Sequence, residues 1–208
     1  MQHLEQSIIR VLNANGTTVG TGFVVTDQLA VTCAHVIEAA GSTCGKTVCI
    51  QFYHGASEQV VQVREDGWSA ASKDDIAFLR IDGLPEGVTS VIMGSAANCD
   101  GHDYRSFGFA KLAEFDSRKV SVIIDGVVSV RDQQKQCMIQ LKGDEIDKGL
   151  SGSPVLNTKT DRVVGMVSEY KDSDQTRFAW ATTSDTLAST LSALDPAFRL
   201  WSDLDPFL

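Results

Sequence analysis

Apolar residues recur along this chain in short runs rich in Val, Ile, Phe and Thr, and clusters of Gly, Asn, Asp and Ser separate the runs. β-branched and aromatic side chains fit a pleated, half-buried surface, and such turn residues end strands, so the pattern predicts an all-β sandwich or barrel. In the first half the runs fall at 7–12, 22–25, 29–32, 48–52 and 76–81; in the second they fall at 105–109, 120–124, 127–130, 137–141, 163–167 and 178–181. The small, polar, glycine-containing stretch 94–101 between the halves reads as a connection. Two stretches look helical. Residues 34–40 are short and stop at Gly41, while 186–194 repeat Leu187, Leu191 and Leu194 after the cap candidates Ser184 and Asp185 and end before Pro196. The apolar tail 198–208 should not hang free in water; it either packs back or leads into a further domain.

This reading divides the chain into a first half at 1–95, a connection at 96–103, a second half at 104–183 and a helix with tail at 184–208. A length of 208 residues suffices to bury a core without disulfides. A net charge of −9 repels a phosphate backbone, so nucleic acid is not expected as a direct partner. No apolar run of membrane-spanning length occurs, and Met1 to Gln6 lacks the basic start and apolar stretch of a secretory signal. A cytoplasmic location without membrane contact is the expectation. The five cysteines, Cys33, Cys44, Cys49, Cys99 and Cys137, are odd in number and scattered, which fits free thiols in a reducing compartment. Cys44 and Cys49 are close, but no second Cys/His pair completes a zinc set; neither metal nor cofactor is expected.

Candidate chemistry centres on Ser151, in Gly149-Leu150-Ser151-Gly152-Ser153-Pro154. Glycines on both flanks permit a tight turn that presents amides to one point, and acyl transfer needs such donors where an oxyanion develops. The amides of Gly149 and Ser151 are the candidates, and Ser153 is a competing nucleophile, although Pro154 follows it directly. The bland alternative is a β-turn between strands. A serine hydroxyl requires a base, and His35 follows the apolar run 29–34, where a ring can be held rigidly. His3, His54 and His102 stand in polar or terminal surroundings. Asp75 directly precedes the apolar run 76–79, so its carboxylate is drawn inward, whereas Asp74 faces the other way.

Taken together, the blocks Thr32-Cys33-Ala34-His35-Val36, Asp75-Ile76-Ala77 and Gly149 to Pro154 resemble those of the trypsin/chymotrypsin-like proteases. Gly20-Thr21-Gly22-Phe23-Val24 is similar to that family's Gly-Ser/Thr-Gly-Phe strand, and 163–168 to its strand beside the substrate. The resemblance implies two packed six-stranded antiparallel β-barrels with a C-terminal helix, and a catalytic triad of His35, Asp75 and Ser151. It further implies that Ser168 hydrogen-bonds Asp75 and that Ser168, Glu169 and Tyr170 pair with the backbone of a protein or peptide substrate. Glu145 would lie near the floor of the primary specificity pocket, with Tyr170 and 178–181 on its walls, or would instead pair with a neighbouring lysine on a solvated loop.

Leu150 departs from the pattern, since secreted relatives carry Asp there and the intracellular HtrA-like branch usually carries Asn. Leucine cannot hydrogen-bond the loop into place, so a site latent until a partner or fused domain orders residues 144–150 is one expectation. The texture of 32–36, 101–109 and 178–182 also resembles trypsin-like modules fused to effector domains in bacterial conflict and defence proteins. Two functions follow from the resemblance: a serine endopeptidase working through an acyl-enzyme, in the regulated case as an effector, or a catalytically silent peptide-binding module with the same fold.

Overall fold

A computed structural model describes residues 3–53, 57–109, 118–129, 137–142, 149–173 and 176–201. After a single 3-10 turn at Leu4–Ser7, six strands follow: β1 (Ile8–Leu12), β2 (Thr18–Thr26), β3 (Leu29–Thr32), β4 (Thr47–Phe52), β5 (Glu58–Ser69) and β6 (Ile76–Arg80), with helix α1 (Ala34–Ala39) between β3 and β4. They close into an antiparallel barrel in the order β1-β2-β3-β6-β5-β4. Strands β7 (Asp103–Gly108), β8 (Arg118–Ser129), β9 (Cys137–Lys142), β10 (Pro154–Asn157), β11 (Arg162–Ser173) and β12 (Thr176–Thr183) close a second one, ordered β10-β11-β12-β9-β8-β7. The architecture is the pair of six-stranded barrels that the resemblance implies, with a C-terminal helix α2 (Ser184–Leu194). No helix among the described residues is long and apolar enough to cross a membrane.

Closure removes sheet edges, so each barrel keeps its interior dry and leaves its rims to carry loops. Phe23, Val31, Ile50, Val63 and Phe78 fill the first interior, and Ile139, Leu141, Val155, Val164 and Ala181 the second. Phe107, Phe109, Leu156, Val163 and Met166 of the second half join the cluster of the first, so the barrels meet through a continuous apolar layer. Burial of this kind, at about 25 cal/mol per Å² of apolar surface, dominates the stability of such a fold.

Several elements differ from the sequence pattern. The run at 120–124 and residues 127–129 of the next run are one strand, β8, whose register shifts between Ile124 and Gly126, where φ is +150°. Strand β5 escapes a reading based on apolar runs because charged and other polar residues interrupt its valines; only Val61, Val63 and Gly67 are buried, the last packed where a Cβ would strike the Phe78 side chain. Helix α2 starts at Ser184 with Thr183 as its cap, the Thr183 hydroxyl accepting from the Thr186 N–H at 3.2 Å. Asp185, a cap candidate, instead accepts from the Ser95 hydroxyl and the Ala96 N–H, each at 2.9 Å, and ties the helix to the inter-barrel connection. Through residue 201 the tail packs back: Phe198 and Leu200 lie against the main core, and the Trp201 N–H donates to the Met93 carbonyl at 3.1 Å.

Candidate active site

Strand β3 ends at Thr32 and Cys33 turns the chain into α1, so His35 sits in the first turn of a helix rather than at a strand end. The opening amides of a helix have no partner of their own. Here the His35 N–H donates to Oδ1 of Asp75 at 3.0 Å, and Nδ1 of the same residue lies 2.7 Å from Oδ2. One carboxylate therefore caps the helix and orients the ring it carries. With Nδ1 as donor, Nε2 is left to accept a proton, the arrangement a general base requires. The imidazole side chain is 38% exposed and the carboxylate 5%, so the ring meets solvent while its anchor does not.

Asp75 takes a left-handed conformation, φ +57°, which Asp tolerates better than most residues, and its N–H donates to the Ala70 carbonyl at 3.1 Å. This local kink just before β6 sends neighbouring carboxylates apart. Asp74 accepts from the Ser69 hydroxyl at 2.9 Å, whereas Asp75 reaches His35 and Ser168.

Ser168 lies at the point where the β11–β12 register shifts, between Val167 and Glu169. Such a bulge leaves a residue out of the ladder and turns it toward a neighbouring element. Its hydroxyl donates to Oδ2 of Asp75 at 2.8 Å, and its carbonyl accepts from the Ser151 hydroxyl at 3.3 Å. The side chains of Ser168, Asp75 and His35 thus form one connected set across the two barrels, and the Ser151 hydroxyl joins it through the backbone carbonyl of Ser168. The Ser151 hydroxyl points at Ser168, and no hydrogen bond joins it to His35 in this arrangement.

The loop holding Ser151 is bonded on all sides. Thr21 N–H donates to the Ser151 carbonyl at 3.0 Å, Gly152 N–H to Val167 at 2.7 Å and Ser153 N–H to Leu150 at 2.8 Å. Gly152, at φ +86°, is required because a Cβ there would run into the Thr21 carbonyl oxygen. Gly149 has φ +106°, and among the described residues neither its amide nor that of Ser151 donates to a neighbour. Leu150 is buried among Val155, Val164 and their neighbours in the second core.

Ser153, the competing nucleophile, is wholly buried, and its hydroxyl has no partner among the described residues. Glu169 and Tyr170 fall on β11, opposite Trp180 and Ala179 of β12. Glu145 lies outside the described residues, as does His54. His3 is exposed ahead of the first turn, and His102 approaches Asn157 through Nδ1 at 3.1 Å.

Two contributors carried no role in the sequence reading. Thr21 reaches the Ser151 loop from β2, and the Cys33 thiol, wholly buried, donates to the Val167 carbonyl at 3.3 Å. Burial first, and then the charge of Asp75, push the Cys33 thiol well above its usual range. Its sulfur lies with the His35 and Asp75 ligand atoms in a group no more than 4.8 Å across. The glycine block signals Thr21; Cys33 is legible only as the residue two before His35.

Two antiparallel six-stranded barrels, with Ser168 on a strand of the second bonded to Asp75 of the first, have the architecture of the trypsin/chymotrypsin-like class. The family model described as "trypsin-like peptidase domain" matches residues 20–166, and the chain belongs to that family. No curated protein matches it significantly. Among solved structures it is similar to the Rv3671c protease of M. tuberculosis in its inactive form, with 18% identity over 92% of this chain and 90% of that one and a TM-score of 0.68. The active form of the same protease gives 18% identity, coverage of 95% and 84%, and a TM-score of 0.68. The HtrA-type protease AlgW with a tripeptide gives 14% identity and a TM-score of 0.72, over 92% of this chain and 61% of that one. At these identities the likeness is one of fold.

Proposed function

We propose that this trypsin-like peptidase domain is a serine endopeptidase in which Ser151 is the nucleophile, His35 the general base and Asp75 the residue that orients His35. The single observation that carries the reading is the double grip of Asp75 on His35, with Ser168 linking that pair to Ser151. In this mechanism the Ser151 hydroxyl leaves the Ser168 carbonyl to bond Nε2 of His35; such bonds often tighten only when substrate is bound. His35 then takes the hydroxyl proton as Oγ attacks the scissile carbonyl, and the new oxyanion is met by the amides of Gly149 and Ser151. Collapse expels the amine, which receives the proton from His35, and leaves an acyl-enzyme on Ser151. Water, deprotonated by the same imidazole, hydrolyses the ester and restores the hydroxyl. Asp75 remains ionised throughout and stabilises the imidazolium.

Substrate is expected as an extended peptide added along β11 at Ser168, Glu169 and Tyr170. Glu145 is the candidate for the pocket floor. A fluorophosphonate probe tests the nucleophile: covalent labelling of the wild-type chain and none of Ser151→Ala supports it, together with turnover of a denatured protein substrate lost in the same variant. The second reading, a peptide-binding module without turnover, draws on the Ser151 hydroxyl being turned to Ser168. Peptide binding without labelling, also in the presence of partner proteins or of a longer chain, favours that reading instead.

A further inference from the structure

We infer that Thr21 is a positioning residue for the oxyanion-binding loop, supplying the directional anchor that Leu150 lacks; the inference rests on Ser151 being the nucleophile. Thr21 is wholly buried on β2, and each of its polar groups is engaged. Its N–H donates to the Ser151 carbonyl at 3.0 Å, and its hydroxyl donates to the Gly149 carbonyl at 3.3 Å. The same hydroxyl accepts from the Phe109 N–H at 3.0 Å, and its carbonyl accepts from the Thr32 hydroxyl at 2.6 Å.

The consequence lies in which peptide planes are fixed. Thr21 holds the carbonyls of Gly149 and Ser151, on either side of Leu150, and Ser153 N–H holds the carbonyl of Leu150. Three consecutive peptide planes, including the one that carries the Ser151 amide, are thereby set. Gly149 needs this most. At φ +106° with no Cβ, sterics leave it a broad range of ψ, so the bond to its carbonyl rather than crowding fixes the plane that leads the chain into Leu150 and Ser151. Leu150 contributes burial, which holds the loop down but does not select a direction.

The clamp also spans the barrels. Thr21 belongs to the first, while Phe109, Leu150 and Ser151 belong to the second, and a Cβ on Gly108 would sit only 2.8 Å from the Thr21 hydroxyl and 3.2 Å from the Leu150 side chain. The apposition of the barrels and the two peptide planes that flank the one carrying the Ser151 amide are therefore held by one residue.

Thr21→Val keeps shape and removes the hydroxyl, whereas Thr21→Ser keeps the hydroxyl. With a peptide substrate, Thr21→Val is expected to lower kcat about ten- to a hundredfold, the range set by a misplaced oxyanion donor, with KM changed less than about twofold. Affinity for a peptide boronate, which forms the tetrahedral adduct, should fall in parallel, and Thr21→Ser should hold kcat within about threefold of wild type. Unchanged kcat and boronate affinity in Thr21→Val, with only the melting temperature lowered, would overturn the inference. Should Thr21→Val not fold, Thr21→Ser against Thr21→Ala makes the same comparison, and equal losses in the two would overturn it as well. A wild-type chain that no fluorophosphonate labels sinks the nucleophile assignment and this inference with it; labelled wild type with an indifferent Thr21→Val sinks this inference alone.

Discussion

The Ser168 hydroxyl donates to Oδ2 of Asp75 at 2.8 Å, from a strand of the second barrel to a carboxylate of the first. Oδ2 also faces Nδ1 of His35, so one oxygen receives two donors and the buried charge is shared between barrels. A buried carboxylate is tolerated only when its lone pairs are met.

Removing that donor in Ser168→Ala leaves Asp75 with the two bonds from His35. Hydrogen bonds to charged groups contribute about 1.5–3 kcal/mol, so urea melts should show a stability loss of that order. Turnover should fall about tenfold, because the carboxylate can then rotate and take the imidazole with it. Equal kcat/KM in Ser168→Ala and wild type would mean that His35 alone fixes Asp75.

Asp75→Asn preserves volume but puts an amide NH2 where one of the two oxygens accepts. Oδ1 meets the His35 N–H and Oδ2 meets Nδ1, so whichever way the amide turns, a donor faces a donor or the ring adopts the other tautomer. The expected result is a fold that survives and a kcat lowered about 10⁴-fold, the magnitude found for the matching change in a well-studied serine protease. Circular dichroism with kcat measurement checks both halves, and activity within tenfold of wild type would remove Asp75 from its role.

How much of this was legible beforehand follows from where each signal resides. The all-β class shows in the apolar runs because barrel interiors demand them, and the second-barrel strands β9 and β12 follow that pattern. Strand β5, where polar residues interrupt the valines, does not, since closure by hydrogen bonding asks little of its outward side chains. His35 and Asp75 stand beside apolar runs, which is why sequence singles them out, and the fold unites them. The bulge that frees Ser168 and the reach of Thr21 across barrels depend on tertiary register, so residue types alone carry them only through resemblance.

The two serines of the loop should separate cleanly. Ser153 is wholly buried with an unpartnered hydroxyl, and an unsatisfied buried polar group costs about 1–3 kcal/mol. Ser153→Ala is therefore expected to raise the melting temperature while leaving fluorophosphonate labelling intact. Loss of labelling in this variant at full stability would shift the nucleophile from Ser151.

Gly152→Ala tests the loop backbone. Its φ of +86° strains any side chain, and the new Cβ would run into the Thr21 carbonyl, part of the backbone that also binds Thr32. Since backbone cannot swing aside, the loop must move by enough to break the Gly152 to Val167 bond of 2.7 Å. Activity should drop at least about a hundredfold, the scale of a displacement near 1 Å. A crystal structure of the variant with that bond and wild-type activity both retained would contradict the crowding.

Cys33 makes a prediction about alkaline pH. Its thiol is wholly buried beside Asp75; burial first and that charge second raise its pKa well above the usual value. In the unfolded chain a thiol ionises near about pH 8.5. Below that pH both states hold the proton, and the contribution of this group to stability is fully present. Above it the unfolded chain releases the proton while the native chain keeps it, so the unfolded state binds fewer protons and stability falls as pH rises toward the native pKa. The slope for one proton reaches about 1.4 kcal/mol per pH unit. Cys33→Ala deletes the group, so its urea-unfolding free energy should decline less steeply than that of wild type between about pH 8.5 and 10, even though the lost packing lowers it at neutral pH. Parallel curves across that window would show that the native thiol ionises as readily as an exposed one, and that the carboxylate beside it does not hold the proton in place.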